Sequence, residues 1–491
     1  MNVDYGELVR AMLPEMALVI GALVVIGFDL LRGRRQSPDE RLRAAVTFGG
    51  LAVLVAAWHV ARIERPGAMF GGVLMLDTLG VFTRLGVLML ALFTLAFAPG
   101  GPRLRNPAEY VAAILFATCG FTLMAVARQL LVIFLAVELA SISLYVLAGF
   151  DKTRRESAEA ALKYFLFGGM AAAFLLFGFS LIYGLTGSIE LPVISRALHA
   201  GAGGPLLSVA LVMVVVAFGF KAAAAPFHLW APDVYEGAPA SSAALIASAS
   251  KLAGVVVFTR LLWPGLGAAA GNFSAPVEHP GWLTVVALAA GASLLLGNLV
   301  ALAQTNVRRL LAYSAIAHAG AMLIGVMVVG RAGAGPLFYY AATYGLATVG
   351  AFGVIAVLQR EGGGCRQITD LAGLYRRSPL LAGCLAVYFL SLAGVPPLAG
   401  FFGKFVVFAA ALRVDGLAAP VGWLAVAAIA LSAVGLYYYL IVLKQALVAP
   451  PAREAGRIAV PRDVAFALVI CALLLLVLGV FPSFVLRVFV F

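Results

Sequence analysis

Gly219-Phe-Lys-Ala-Ala-Ala-Ala-Pro226-Phe-His228 and Gly394-Val-Pro396-Pro397-Leu-Ala-Gly400-Phe-Phe-Gly403-Lys404 each set proline well inside a long apolar run, with a lysine a few residues away. Proline has no amide donor and clashes with the preceding turn, so each helix should break there. The carbonyls freed at a break lie at membrane depth, where only buried protein or water can satisfy them. An ammonium at the bilayer centre costs roughly 3 kcal/mol or more on insertion scales. Lysines beside two such breaks, Lys221 and Lys404, therefore point to an ion or proton pathway.

Working outward, the rest of the chain reads as membrane. Its 491 residues are 63% hydrophobic and 11% charged, with a mean hydropathy of +1.04, far from a soluble globular composition. Apolar windows fall near 10–31, 44–61, 75–98, 108–127, 129–149, 157–186, 206–228, 236–262, 281–303, 309–329, 336–358, 379–411, 421–447 and 463–489. The longest connections, 187–204, 263–280, 359–378 and 448–462, are rich in Gly, Pro and Arg and read as loops too short for an extramembrane domain. The expected fold class is an all-α polytopic membrane protein with about 14 transmembrane helices.

The two breaks fall in the seventh and twelfth spans, and an odd offset of five reverses direction through the membrane. That predicts two inverted five-helix repeats with discontinuous helices 7 and 12. The expected organisation is a three-helix segment over 1–104, repeats over 105–262 and 281–447, and a last helix over 463–491.

A net charge of +12 would point to nucleic acid in a soluble protein, but here Lys and Arg sort by loop, so the lipid bilayer is the partner and nucleic acid is not. With the N-terminus outside, roughly twenty basic residues face the cytoplasm and about nine the other side. Both termini are then periplasmic. The first residues, Met1 to Glu7, are acidic where a signal peptide would be basic, so the first span is expected to be retained. Cys119, Cys365, Cys384 and Cys471 stand singly, without the spacing of iron-sulfur, zinc or haem ligands. No GxxxxGK[ST], GxGxxG or HExxH occurs, so no cofactor and no metal is expected in this chain.

Further charged groups lie in the spans. Glu138 is the carboxylate near the middle of the fifth span and the natural partner of Lys221; a movable carboxylate can switch a buried lysine between charge states, whereas a static pair would only pin two helices. His228 lies two turns beyond Lys221 and is expected on the same face. Lys163 follows Glu159 by four residues near a cytoplasmic helix end, where it relays protons or snorkels. Lys251 lies too deep to snorkel, with Ser241, Ser242, Ser248 and Ser250 placed to order water around it. His318 is mid-span in the second half and can shuttle a proton through its two ring nitrogens or bond a backbone carbonyl. Tyr344 beside Thr343 continues toward Lys404 or packs as an aromatic, and Lys404 is the candidate far end of the path. Asp29, Asp77 and Arg84 are expected to pair between helices or at the interface.

The segments Val137-Glu138-Leu-Ala-Ser, Ala158-Glu-Ala-Ala-Leu-Lys163-Tyr-Phe, Pro226-Phe-His228-Leu-Trp-Ala-Pro-Asp233-Val-Tyr-Glu236-Gly-Ala-Pro239 and Gly394 through Lys404 resemble the antiporter-like membrane subunits of respiratory complex I. The resemblance is strong over about 105–450 and weak in the flanking spans. It implies a fourteen-helix subunit of a bacterial inner-membrane complex, with Glu138 paired to Lys221 and with Lys163, Lys251, His318 and Lys404 relaying protons. It also implies partners: other membrane subunits and a peripheral arm carrying FMN and iron-sulfur clusters, whose reduction of quinone drives the protons. A subunit of a multisubunit cation/proton antiporter, running on an ion gradient alone, is the alternative. A structural spacer is a third reading, opposed by the desolvation cost of the lysines.

Overall fold

The computed structural model of the protein describes residues 5–33, 36–63, 67–101, 104–272, 281–360, 365–417, 419–451 and 456–489. Nearly all of it is helix. Among the described residues thirteen helices are long and apolar enough to cross a membrane, and a fourteenth apolar helix, Pro379–Ala393, is shorter. The protein is a multi-pass membrane protein.

Helices α1 (Tyr5–Arg32) and α2 (Pro38–Ala61) pack together, and their connection is closed chemically. Ser37 and Glu40 form a capping box at the start of α2, and Arg41 grips Asp29 through two hydrogen bonds of 2.7 and 2.5 Å. A short hairpin of β1 (Gly67–Met69) and β2 (Leu74–Leu76) leads to α3 (Thr78–Phe97), whose first turn is capped by Asp77. Inside this bundle Arg84 of α3 and Glu15 of α1 form a 2.9 Å ion pair, both fully buried. Arg260 reaches back to Asp77. The three groups expected to pair between helices, Asp29, Asp77 and Arg84, thus do so. Removing one member of a pair buried this deeply costs about 3–5 kcal/mol, because the other charge is left uncompensated.

Then come α4 (Pro107–Met124), α5 (Leu130–Ala148) and α6 (Arg155–Thr186). The stretch 187–204, read as a loop, contains a helix, α7 (Leu191–His199). Leu191, Ile194 and Leu198 form its buried face, a spacing of three and four that marks an amphipathic helix and is masked by the flanking Gly and Pro.

Helix α8 (Pro205–Ala222) stops one residue after Lys221, Ala223 turns left-handed at φ +55°, and α9 (Trp230–Gly237) resumes beyond Pro226. The span read as continuous over 236–262 is instead two helices, α10 (Ala240–Ala247) and α11 (Ala249–Arg260). The break at Ser248 (φ −112°, ψ −81°) carries no proline; its hydroxyl donates to the Ala244 carbonyl at 2.6 Å, a back-bond that bends helices.

Helices α12 (Trp282–Leu302), α13 (Val307–Ala332) and α14 (Gly335–Arg360) follow, then a short α15 (Leu374–Arg377). Helix α16 (Pro379–Ala393) ends at Gly394, left-handed at φ +86°, and α17 (Ala399–Asp415) starts after the Pro396-Pro397 pair. The chain closes with α18 (Pro420–Leu447), α19 (Arg462–Val480) and α20 (Ser483–Leu486). The last span is shorter than 463–489 because Phe481-Pro482 ends it.

Helices α10, α11, α13 and α14 are buried almost all round, whereas only about a third or fewer of the residues of α2, α6 and α18 are buried. Apolar side chains gain nothing by leaving lipid for protein, so contacts between such helices depend on small residues that let backbones approach. At Gly297 of α12 an added Cβ would stand 2.4 Å from the Ala317 nitrogen of α13, closer than any real contact.

Candidate functional site

Glu138 of α5, Lys221 of α8, Lys251 of α11, His318 of α13 and Lys404 of α17 are the candidate residues of the interior, taken here in chain order. Glu138, Ser141 and Tyr145 of α5 and Lys221 of α8 line a cavity of about 20 Å³, the space of roughly one water. Lys221 is 5% exposed and donates to Ser141 Oγ at 3.1 Å, while the Ser141 hydroxyl donates to the Val137 carbonyl at 2.7 Å. Glu138, half-buried, shares the cavity but makes no ion pair with Lys221. The two therefore interact electrostatically across a shared cavity without direct contact, and Ser141 is the lysine's hydrogen-bond partner.

Lys221 can reach α5 because Gly254 of α11 leaves room for its stem. A Cβ at that position would stand 3.2 Å from Lys221 Cγ.

His228 does not share a face with Lys221. Helix α8 ends between them, so helical spacing does not carry across, and His228 lies buried in the turn before α9 with its Nδ1 making no hydrogen bond among the described residues.

Lys251 stands in the first turn of α11, 2% exposed, and donates to the Ala315 carbonyl of α13. Its ammonium lies 5.5 Å from the centre of the Tyr344 ring, within range of attraction to the aromatic face. Two of the four serines expected around it are engaged elsewhere: Ser242 bonds Tyr110 at 3.0 Å and Ser248 bonds its own helix.

Tyr344 in turn packs on His318, ring centres 4.8 Å apart. His318 uses both nitrogens: Nδ1 meets the Tyr340 hydroxyl at 2.6 Å, and Nε2 the Tyr439 hydroxyl at 3.3 Å. Tyr439 also bonds Ser314, so two tyrosines and a serine hold the imidazole between hydroxyls that can give or accept a proton.

A second cavity of about 20 Å³ joins His318, Tyr340 and Tyr439 to Asn298, Tyr438 and Lys404. Lys404 folds back over Gly394, where a Cβ would stand 3.3 Å from its Nζ, and donates to the Ala393 carbonyl at 3.0 Å. It thereby caps the negative end of α16, a favourable place for a cation. Lys404 also borders a larger apolar cavity of about 310 Å³ between α17 and α18. Glu138 and Lys404 are half-buried; Lys221, Lys251 and His318 are buried.

Residues 127–432 match the family described as NADH:quinone oxidoreductase/Mrp antiporter, transmembrane. The chain belongs to this family. It is 46% identical to a protein of Acidobacterium capsulatum named NADH-quinone oxidoreductase subunit N 2, over 99% of each chain. A chain in the structure of respiratory complex I from Thermus thermophilus with bound aureothin is 34% identical over 96% of this chain and 98% of its own, with a TM-score of 0.77. A chain of the Mrp complex from Dietzia sp. DQ12-45-1b has the same fold, with a TM-score of 0.78 at 21% identity over 98% of this chain and 96% of its own.

In this member of the NADH:quinone oxidoreductase/Mrp antiporter family Lys163 lies apart from both small cavities. It pairs with Glu159 at 2.7 Å, as its helical spacing predicts, and with Asp233 of α9 at 2.6 Å. Asp233 also takes Arg309 of α13 at 2.7 Å, Arg309 reaches Glu236 at 3.1 Å, and Arg366 joins Glu156 at 2.7 Å. The cluster surrounds a cavity of about 160 Å³.

Residue-by-residue reading did not single out Ser141, Tyr340, Tyr439 or Asn298, nor assign Asp233, Glu236 and Arg309 a place. One signal was present: three successive tyrosines, Tyr437 to Tyr439, in an apolar span demand partners for the hydroxyls that become buried. For the serine there was none, since serines in apolar helices commonly bond their own backbone.

Proposed function

We propose that this chain is subunit N of a bacterial NADH-quinone oxidoreductase and that it moves protons across the membrane through Glu138, Lys221, Lys251, His318 and Lys404. The supporting observation is the burial of ionisable groups beside hydroxyls and aromatic faces on neighbouring helices. Lys221, Lys251 and His318 are buried, and hydroxyls or aromatic faces of Ser141, Tyr344, Tyr340 and Tyr439 stand beside them. Each small cavity beside a helix break admits about one water, which can complete a hydrogen-bonded step.

In this reading a proton enters by the side where Lys163, Asp233, Glu236 and Arg309 gather, passes along the five carriers, and leaves through the second half. Arrival of charge at one lysine disfavours the charged form of the next, so the carriers respond as a coupled set. Five-helix repeats over 105–262 and 281–447, fourteen spans and periplasmic termini accompany it. Partner subunits hold the FMN, iron-sulfur clusters and quinone; this chain supplies proton carriers. His228, without a hydrogen bond on Nδ1, is assigned to the first helix break as an accessory carrier.

The test is NADH-driven acidification of proteoliposomes holding the purified complex. Lys251→Ala is expected to cut protons moved per NADH oxidised, with the complex assembled. An unchanged ratio would remove Lys251, and with it the path. The antiporter alternative rests on the family's second name. If the chain purified with small membrane proteins and no redox partner, and its loss made growth sensitive to sodium, that alternative would replace this one.

A further inference from the structure

Tyr145 has a hydroxyl in the small cavity of the first helix break and no part yet in its chemistry. Glu138, Ser141 and Tyr145 lie at i, i+3 and i+7 on α5, so they share one face of that helix, with Ser141 between the carboxylate and the phenol. The Tyr145 hydroxyl stands beside Ser141 and within electrostatic reach of Glu138. Lys221 donates to that same Ser141 at 3.1 Å, so the serine sits where the lysine, the carboxylate and the phenol meet.

The phenol is fitted into a notch. Gly168 of α6 lines the cavity as well, and a Cβ there would overlap the Tyr145 hydroxyl. Aromatic packing accounts for the ring, which meets Tyr164 edge-on with centres 5.0 Å apart. It does not account for a hydroxyl turned to a polar cavity past a missing side chain. The phenol also lies toward the charged cluster: Tyr145 is three residues from the end of α5 at Ala148, whose carbonyl accepts from Ser157 at 2.9 Å, and Ser157 stands between Glu156 and Glu159 in sequence. Tyr164, against which the ring packs, directly follows Lys163.

We propose that Tyr145 is a further proton carrier at the entry side of Lys221, working with one water held in the cavity it shares with Glu138 and Ser141. This rests on the proton-moving reading above. A hydroxyl both gives and accepts, so a proton arriving at Tyr145 Oη from the side of the Lys163 cluster is matched by release of the hydroxyl's own proton to the cavity water, and thence to Glu138 or Lys221. The phenol is neutral before and after, and no oxidant or reductant takes part. Gly168 keeps the notch open for it.

The test is NADH-driven acidification by proteoliposomes holding the purified complex. Tyr145→Phe keeps the ring and removes the hydroxyl; it should lower protons moved per NADH about tenfold, less than the loss of a sole carrier because the water remains. Tyr164→Phe, in the packing but outside the cavity, should leave the ratio unchanged. Gly168→Ala pushes the phenol from its notch, so it should lower the ratio in the native background and add nothing to Tyr145→Phe. An unchanged ratio in Tyr145→Phe beside a lowered one in Lys221→Met would overturn the proposal and leave the lysine path standing; unchanged ratios in both would overturn the two together. Loss in Tyr164→Phe equal to that in Tyr145→Phe, or additive losses from Gly168→Ala and Tyr145→Phe, would make Tyr145 a packing residue and overturn it too.

Discussion

The two proline-broken helices began as near-equivalents in the sequence, yet they treat their lysines differently. At the first break Lys221 is sealed, its ammonium on Ser141 of a neighbouring helix and its stem held over Gly254. At the second Lys404 bends back onto its own break, caps α16, and borders a cavity of about 310 Å³ at the side of the molecule. The first lysine depends on a partner helix for its hydrogen bond; the second depends on the backbone that the break itself exposes. Equal motifs thus yield a closed site and an open one, because what surrounds a break is set by the helices packed against it.

The largest effect expected is at the sealed site. Lys221→Met should lower protons moved per NADH by about a hundredfold, the scale of losing a positioned proton carrier. Lys404→Met should lower them by only about tenfold, since Asn298, Ser432 and Tyr438 line the small cavity it shares with His318 and can hold a water in its place. Acidification assays on the two variants in parallel decide this, and equal losses would break the comparison.

Next come the residues at the breaks. Gly394 is left-handed and close to Lys404, so Gly394→Ala should destabilise the protein by about 1–2 kcal/mol, seen as earlier thermal loss of the subunit. The first break has Ala223 in the same region of backbone space, so Ala223→Gly should instead leave stability unchanged or raise it by up to about 1 kcal/mol. A loss on Ala223→Gly as large as that at Gly394 would show the left-handed residue is not what separates them.

A smaller change is expected from single hydroxyls. Tyr340→Phe removes the 2.6 Å contact to His318, and loss of about 1 kcal/mol predicts a fivefold slower proton flux. Ser141→Ala should do the same at the sealed site, where it removes the 3.1 Å contact to Lys221. If Tyr340→Phe is silent while Ser141→Ala is not, Tyr439 alone suffices for the imidazole.

The smallest is Gly254→Ala. Its Cβ would meet only the flexible stem of Lys221, which can yield by a few tenths of an ångström, so the cost should stay below about 1 kcal/mol. A severe loss of flux would mean that the position of the Lys221 stem is held more tightly than a four-carbon chain requires.

Both proline breaks were legible because proline acts on its own helix, through a missing donor and a clash one turn back. The break at Ser248 was not, since serine is compatible with helix and bends it only in a context that lets its hydroxyl compete for the backbone. His228 was misplaced for a related reason: helical spacing predicts a shared face only while the helix continues. Lys163 and Glu159 were placed correctly because they lie on one unbroken turn, whereas Asp233 and Arg309, separated by 76 residues, were joined only by folding.

By itself the sequence determined that the chain is a multi-pass membrane protein, where two of its helices break, and which charges lie at membrane depth. Those properties depend on composition and on neighbours along the chain. Tertiary structure alone decided that Lys221 meets Ser141, that Lys251 lies over Tyr344, and that His318 sits between Tyr340 and Tyr439. Helices that are apolar all round carry no stripe to say which face turns inward. In such a bundle the rotation of each helix, and with it the meeting of distant polar groups, is set by the close approach of small residues on neighbours far away in sequence.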